Sequence, residues 1–281
     1  MPKRLAYLGP PGTFTEEAAL QYDREAHLVP FLSIPAVAEA VQRGMADEGV
    51  VPIENSLEGS VTDTMDLLIQ EVGLFIRWEL VLPVEHCLMV KPGTQAEEVE
   101  VVYSHPQALA QCRRFLERCF PKAQRMAALS TAAAVEETLR STVKAAAVGT
   151  RRAGQIYGAE ILAYGIQDSA ANVTRFVILS TNDHEPTGPG KDKTSLCFSF
   201  SDDRPGLLYG VMSEFASRKI NLAKVESRPT KETLGRYIFL IDLEGHRLDP
   251  LVREALDSVR RQVGMLRIFG SYPRWQPSAQ T

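Results

Sequence analysis

Between residues 4 and 180, seven short apolar runs (4–8, 28–32, 48–53, 100–104, 124–128, 145–149 and 173–180) alternate with stretches of helical periodicity. Parallel neighbours need a crossover between them, usually a helix, so the alternation predicts an α/β domain with a largely parallel sheet. Helix starts are well marked. Thr13-x-x-Glu16 has the form of a capping box, Ser33 with Pro35 opens a helix ending near Gly44, and Pro106 sits where the first helical residue belongs. Residues 74–90 read as two consecutive strands broken at Pro83, where a second lobe can be inserted. Open α/β sheets bind ligands beyond the carboxyl ends of their strands, so function is expected at strand-to-helix turns.

From Asn182 to Asp192 the chain has two prolines, two glycines and no apolar residue, the composition of an exposed linker. Beyond it the order is strand 194–201, helix 205–219, strand 221–228, strand 235–243, helix 249–262 and strand 266–271. This is the βαββαβ order of a ferredoxin-like unit. Leu207, Val211 and Phe215, and Leu251, Ala255 and Val259, are its expected core positions. Residues 1–182 carry 16 Lys and Arg against 22 Asp and Glu, and 183–281 carry 15 against 13, so the first part is acidic and the second slightly basic.

A chain of 281 residues with 44% hydrophobic and 23% charged content has the profile of an ordinary globule that needs no disulfide or metal staples. No apolar run approaches the ~20 residues of a membrane span, and Leu5–Leu8 is too short for a signal peptide, so a cytoplasmic location without membrane association is expected. The net charge of −4 and the lack of a basic cluster with aromatics argue against nucleic acid. Cys87, Cys112, Cys119 and Cys197 form no C-x-x-C pair and are expected as reduced, buried thiols. If Cys112 and Cys119 share a helix they stand ~10 Å apart. Five scattered histidines offer no ligand spacing, so no metal is expected.

Four polar segments fall at predicted strand ends. In Leu8-Gly9-Pro10-Pro11-Gly12-Thr13-Phe14-Thr15 the backbone N–H groups and threonine hydroxyls can face an anion. Pro52-Ile53-Glu54-Asn55-Ser56 supplies an acid, an amide and a hydroxyl in succession. Tyr103-Ser104-His105-Pro106-Gln107-Ala108-Leu109 ends a strand and opens a helix, with Ser104 or His105 at the cap. Asp168-Ser-Ala-Ala-Asn172-Val-Thr174-Arg175-Phe176 leads into an apolar run; as strand neighbours, Thr174 and Arg175 point to opposite faces. Each segment alone reads at least as well as a tight turn, a helix cap or a plain strand; their conjunction on one domain is what points to a site.

The segments Gly9-Pro-x-Gly12-Thr13-Phe14, Pro52-x-Glu54-Asn55-Ser56-x-x-Gly59, Ser104-His105-Pro106-Gln107-Ala108-Leu109 and Asp168-x5-Thr174-Arg175-Phe176 resemble, in order, the signatures of prephenate dehydratases. The second part resembles the ACT domain of that family, with Arg204-Pro205-Gly206-Leu207-Leu208-Tyr209 and Glu226-Ser227-Arg228-Pro229 similar to its two phenylalanine-binding motifs. One position departs: Leu207 stands where the family usually has alanine and is expected to narrow the effector pocket. With the first strand at residue 4, the chain resembles the monofunctional form that lacks a fused chorismate mutase.

The resemblance implies a two-lobed catalytic domain like a periplasmic binding protein over 1–182, lobe one being 1–77 with 167–182 and lobe two 78–166, followed by an ACT domain over 193–272. It implies loss of carbon dioxide and water from prephenate to give phenylpyruvate, with no cofactor. Thr174 is then the donor to the leaving oxygen, with Glu54 or His105 as the proton source. Arg175 holds the pyruvyl carboxylate, and Asn55, Ser56, Ser104 and Gln107 are neutral donors. Thr13, Asn172 and Phe176 complete the substrate set. L-Phenylalanine is the implied effector, bound by Gly206, Leu207 and Leu208 with Asn221, Leu222, Glu226 and Ser227, on a homodimer or homotetramer. Arogenate dehydratase, a non-catalytic two-lobed receptor and an amino-acid sensor are the alternatives; a receptor would want a signal peptide and a transcriptional sensor a helix-turn-helix.

Overall fold

The computed structural model describes residues 2–70, 73–231 and 235–276. In chain order the elements are β1 (Arg4–Leu8), α1 (Phe14–Tyr22), β2 (His27–Phe31), α2 (Ile34–Gln42), β3 (Glu48–Asn55), β4 (Gly59–Ser60), α3 (Thr62–Gln70), β5 (Phe75–Pro83) and β6 (Cys87–Val90). A 3-10 turn (Ala96–Glu98) precedes β7 (Val101–Ser104), α4 (Pro106–Gln111), α5 (Arg113–Cys119), β8 (Gln124–Ala127), α6 (Thr131–Arg140), β9 (Ala145–Gly149), α7 (Arg151–Tyr157), β10 (Glu160–Ala163) and β11 (Val173–Ser180). The remainder is β12 (Asp192–Ser199), α8 (Leu207–Ser217), β13 (Leu222–Pro229), β14 (Tyr237–Glu244), α9 (Pro250–Arg260) and β15 (Met265–Pro273).

The first sheet runs β2-β1-β3-β11-β5, with β4 added to β3, and the second runs β10-β6-β9-β7-β8. Each keeps a parallel set (β2, β1, β3 and β9, β7, β8), whereas β6 pairs antiparallel with both β9 and β10, so the second sheet is mixed rather than largely parallel. The chain enters the second sheet after Pro83 and returns at β11, the insertion predicted from the break there. Its central strand β9 reads Ala-Ala-Ala-Val-Gly and is buried throughout. Ala146 and Val148 pack with Leu88, Val102 and Leu116 on one face. Ala147 packs with Met89, Val135 and Ala153 on the other. Small residues at period two let helices close on both faces of this strand.

By its contacts the chain divides into Met1–Thr64 with Leu80–Phe176, and Met65–Glu79 with Val177–Thr281. In the second unit the antiparallel sheet β13-β14-β12-β15 carries α8 and α9. Leu196, Phe198, Val211, Phe215, Ile241 and Leu243 form its core, each buried side chain contributing about 1.5–3 kcal/mol. Helix α9 turns Val252, Ala255, Leu256 and Val259 inward, whereas Leu251, expected in the core, is 55% exposed. At ~100° per residue Leu251 lies about 80° from Val259, at the edge of the buried stripe.

Residues 65–79 pack within this same unit. Lys193 Nζ lies 2.7 and 2.9 Å from the two oxygens of buried Glu79, and Arg267 Nη1 donates to the Ile69 carbonyl at 2.8 Å. The expected linker is mostly exposed up to Lys191, but Asp192 is buried and accepts the Thr187 N–H at 2.9 Å. Cys87, Cys112 and Cys197 are buried, burial pushing their thiols up to about 11, 12 and 12. Cys119, the last residue of α5, is exposed, contrary to expectation. Among the described residues no helix is long and apolar enough to cross a membrane.

Candidate active site

The turn after β1 is shaped by contact with α7. Gly12 has φ +87°, and a Cβ there would stand 2.9 Å from the Ala153 Cα, so only glycine lets the two backbones approach. Thr150 Oγ1 donates to the Gly12 carbonyl at 2.6 Å and Tyr157 to that of Pro11 at 3.1 Å. Thr13 caps α1, accepting the Glu16 N–H at 3.3 Å while donating to the Leu8 carbonyl at 3.1 Å. The Glu16 carboxylate reaches the Gly12 N–H at 2.6 Å, one residue short of the reciprocal capping-box bond. This signature is therefore a joint as much as a binding loop.

A cavity of about 540 Å³ opens beside that turn, within the usual range for a small-molecule site. Thr13, Phe14 and Thr15 enter its wall from α1, Asn55 from β3, and Thr174 and Phe176 from β11. His105, Gln107 and Gln111 come from the start and end of α4, and Ser130 and Thr131 from the start of α6. Val84 and His86 stand between β5 and β6, and Asp63 stands at the start of α3. No lysine or arginine stands in the wall among the described residues.

At its centre the Asn55 Nδ2 donates to Thr174 Oγ1 at 3.0 Å and to Asn172 Oδ1 at 2.8 Å. Asn55 Oδ1 accepts the Leu57 and Glu58 N–H groups at 3.0 and 3.2 Å, which fixes the amide orientation. Thr174 Oγ1 is thus an acceptor toward Asn55, and its own proton is left to donate. His105 caps α4, its Nδ1 accepting the Gln107 N–H at 3.3 Å, which puts the neutral ring's proton on Nε2. Ser130 caps α6 through Ala133 N–H at 3.0 Å, leaving the first N–H groups of that helix open.

Of the residues expected here, Thr13, Asn55, His105, Gln107, Thr174 and Phe176 are brought to one wall. Glu54, Ser56, Ser104, Asn172 and Arg175 are not. Strand alternation puts Arg175 and Glu54 on the face away from Thr174 and Asn55, where Arg175 Nη1 lies 3.4 Å from Glu54 Oε2. Ser104 Oγ donates to the Val148 carbonyl at 2.6 Å, tying β7 to β9. Ser56 Oγ joins the Ala171 carbonyl and the Val173 N–H, and Asn172 supports Asn55.

Sequence reasoning missed Gln111, four residues and one helical turn beyond Gln107, although that spacing could have shown it. It missed Ser130, whose place after a strand repeats that of Ser33 before α2. His86 lies in a three-residue connection with no such signal.

A second cavity, of about 670 Å³, lies in the second unit and is lined by Asp202, Asp203, Arg204, Gly206, Leu207, Leu208, Tyr209, Arg236, Tyr237 and Phe239, among others. It includes Gly206, Leu207 and Leu208 but not Asn221, Leu222, Glu226 or Ser227, which lie on or just before the edge strand β13. There Glu226 is paired with Lys224 at 3.2 Å.

The family model for prephenate dehydratase matches residues 5–184, and that for the ACT domain matches residues 198–261. The chain belongs to the prephenate dehydratase family. It is 42% identical over 272 residues to a bifunctional chorismate mutase/prephenate dehydratase of Aquifex aeolicus (strain VF5), covering 96% of this chain and 74% of that one. It is 38% identical over 300 residues to arogenate dehydratase 3, chloroplastic, of Arabidopsis thaliana, covering 99% and 70%. The solved prephenate dehydratase of Arthrobacter aurescens, a complex with L-Phe, superposes with a TM-score of 0.90 at 36% identity, covering 98% and 92%. The family resemblance and the two-lobed fold with an ACT domain, both expected from the sequence, are therefore shown, as is membership of a family of hydro-lyases.

Proposed function

We propose that the chain converts prephenate to phenylpyruvate, carbon dioxide and water. The observation that carries this reading is the bond from Asn55 to Thr174, which leaves the Thr174 proton free to donate into a cavity. In the reaction the ring carboxylate leaves as carbon dioxide, its bonding electrons make the ring aromatic, and the ring hydroxyl departs with one added proton as water. Thr174 donates to that departing oxygen, and a proton relayed through it is worth typically 10²–10⁴-fold in rate. Of the two candidate sources, His105 stands in the wall with an Nε2 proton, whereas Glu54 is paired with Arg175 away from it.

A dianion in a wall without lysine or arginine is bound by local dipoles. The openings of α1 and α6 offer free N–H groups, and Thr13, Asn55, Gln107 and Thr131 surround them. The missing cation fits the chemistry, since an ion pair with the departing carboxylate would favour the ground state over the transition state. Arg175 is read as a brace that holds β11 to β3 through Glu54, behind Thr174.

Asp63, the one carboxylate in the wall among the described residues, favours a second reading, in which arogenate binds with its ammonium group near that charge. L-Phenylalanine is the proposed effector, its carboxylate at the start of α8 in the second cavity and its ring against Leu207 and Phe239. We read 1–182 as the catalytic part and 193–272 as the regulatory part, in a cytoplasmic homodimer or homotetramer paired through the exposed edge of β13. Offering prephenate and arogenate to the pure protein tests the reading: phenylpyruvate from the first supports it, and turnover of arogenate alone moves it to the second.

A further inference from the structure

His86 is 2% exposed, and its ring stands in the wall of the cavity that holds Thr174. Its Nε2 lies 2.9 Å from Gln111 Oε1, and the Gln111 Nε2 donates to Glu58 Oε1 at 3.2 Å. With the amide nitrogen committed to a carboxylate, the amide oxygen faces the ring as an acceptor, so the imidazole proton is on Nε2. Nδ1 is then a bare lone pair, and it has no hydrogen-bond partner among the described residues. Burial holds the imidazole below its ordinary value, the Gln111 bond opposing less strongly, so the ring is neutral at pH 7. The backbone pins it on both sides: His86 N donates to Gln167 Oε1 at 3.0 Å, and its carbonyl accepts the Ile166 N–H at 3.0 Å.

Leaving a buried acceptor unpaired is costly, and a fold carries that cost where a ligand supplies the partner. The prephenate dianion has a single hydrogen-bond donor, its ring hydroxyl. Asn55 Oδ1, Gln111 Oε1, His105 Nδ1 and Thr13 Oγ1 already accept bonds from the protein.

We infer that His86 is a catalytic residue of the dehydration: Nδ1 accepts the hydrogen bond of the substrate's ring hydroxyl and turns that oxygen's lone pairs toward Thr174. His86 takes no proton. The oxygen keeps its own hydrogen, receives a second through Thr174 as the C–O bond breaks, and leaves as water. Nδ1 is screened from water here, and hydrogen bonds of this kind shorten and align only in the substrate complex. The inference rests on the dehydration proposed above. It applies equally to prephenate and arogenate, which share the hydroxyl.

The test compares kcat, KM and melting temperature of His86→Phe and His86→Asn with the unaltered chain on both substrates, between about pH 5 and 8. Phenylalanine removes the acceptor, and kcat falls on the order of 100-fold with KM changed less than about threefold. Asparagine puts an amide oxygen at the Nδ1 position and restores about a tenth or more of the lost rate. In the unaltered chain kcat falls as pH drops past the ordinary imidazole range through the ring's depressed value, because a protonated Nδ1 donates instead of accepting, and the asparagine variant lacks that limb. The titratable groups around the ring are Glu58 behind Gln111, Glu85 and Cys87 beside it in the chain, and Asp63 and His105 across the wall. They remain in both variants.

Wild-type kcat in the phenylalanine variant, equal losses in both variants that track melting temperature, or a kcat that rises on acidification would each overturn the inference. If the phenylalanine variant does not fold, the presence or absence of the acid limb in the asparagine variant decides. Turnover of neither substrate by the unaltered chain would sink the dehydration reading and this inference together. Turnover with an indifferent His86 sinks the inference alone.

Discussion

The amide nitrogen of Asn55, on β3, lies 3.0 Å from the hydroxyl oxygen of Thr174, on β11, and the opposite end of that amide is locked by two backbone N–H groups. A threonine hydroxyl ordinarily rotates between donating and accepting; here one role is taken, so the other is directed. Asn55→Asp keeps the locked oxygen but offers Thr174 an acceptor in place of a donor, drawing its proton away from the cavity. The expected result is a fall in kcat of roughly 10²-fold with KM little changed, read by steady-state kinetics. A variant with raised KM and normal kcat would assign Asn55 to binding.

Lys193 and Glu79 form a buried pair in the second unit, their side chains 11% and 1% exposed. Lys193→Met removes the ammonium that lies 2.7 and 2.9 Å from the buried Glu79 oxygens and should cost about 3–5 kcal/mol, whereas the Lys193→Met, Glu79→Met double variant should recover much of that. Chemical denaturation of the single and double variants checks it. The same pair makes truncation near residue 182 a poor test of regulation, because Glu79 would lose its partner.

Gly206 opens α8 at φ +89°, a conformation side chains rarely adopt, beside the second cavity. Gly206→Val should weaken L-phenylalanine inhibition at least tenfold while the uninhibited kcat stays near normal. Titration of the amino acid against both proteins reads this, and equal inhibition would place the effector elsewhere.

His86 also ties stability to pH. Its folded value is depressed, so the unfolded chain binds the proton first on acidification. Its contribution is complete above the unfolded value, near 6.5, and is lost as pH falls from there through the folded value. Melting curves of the unaltered chain should show that loss, and those of His86→Asn should show less of it.

Thiol labelling separates the cysteines. Cys87, Cys112 and Cys197 are buried with thiols held protonated, so one equivalent of Ellman's reagent, at Cys119, should react in the folded chain and four after denaturation.

Period and punctuation made most of the fold legible. The seven apolar runs are all strands, and the βαββαβ order of the second unit follows from its sequence. Local pattern could not show the antiparallel β6 and β10, whose partners lie far off in sequence. Nor could it show that residues 65–79 pack with the second unit through Glu79 and Lys193. In the site, the signatures led to Thr174 and Asn55 because Asn55 ends β3 and Thr174 stands at the opening of β11. They also nominated Ser104 and Arg175, whose motif positions are held by tasks of the fold, a tie to Val148 and a pair with Glu54. His86 was hidden because its surroundings, Gln111 at Nε2 and a buried Nδ1 without a partner among the described residues, depend on segments far off in sequence.

The most direct measurement follows phenylpyruvate formation from prephenate by the pure protein and by Thr174→Val, which keeps the shape of the side chain and removes its proton. The account predicts turnover by the unaltered chain and a loss of about 10²–10⁴-fold in kcat in the variant, with KM largely preserved. Comparable turnover by the two proteins would contradict it.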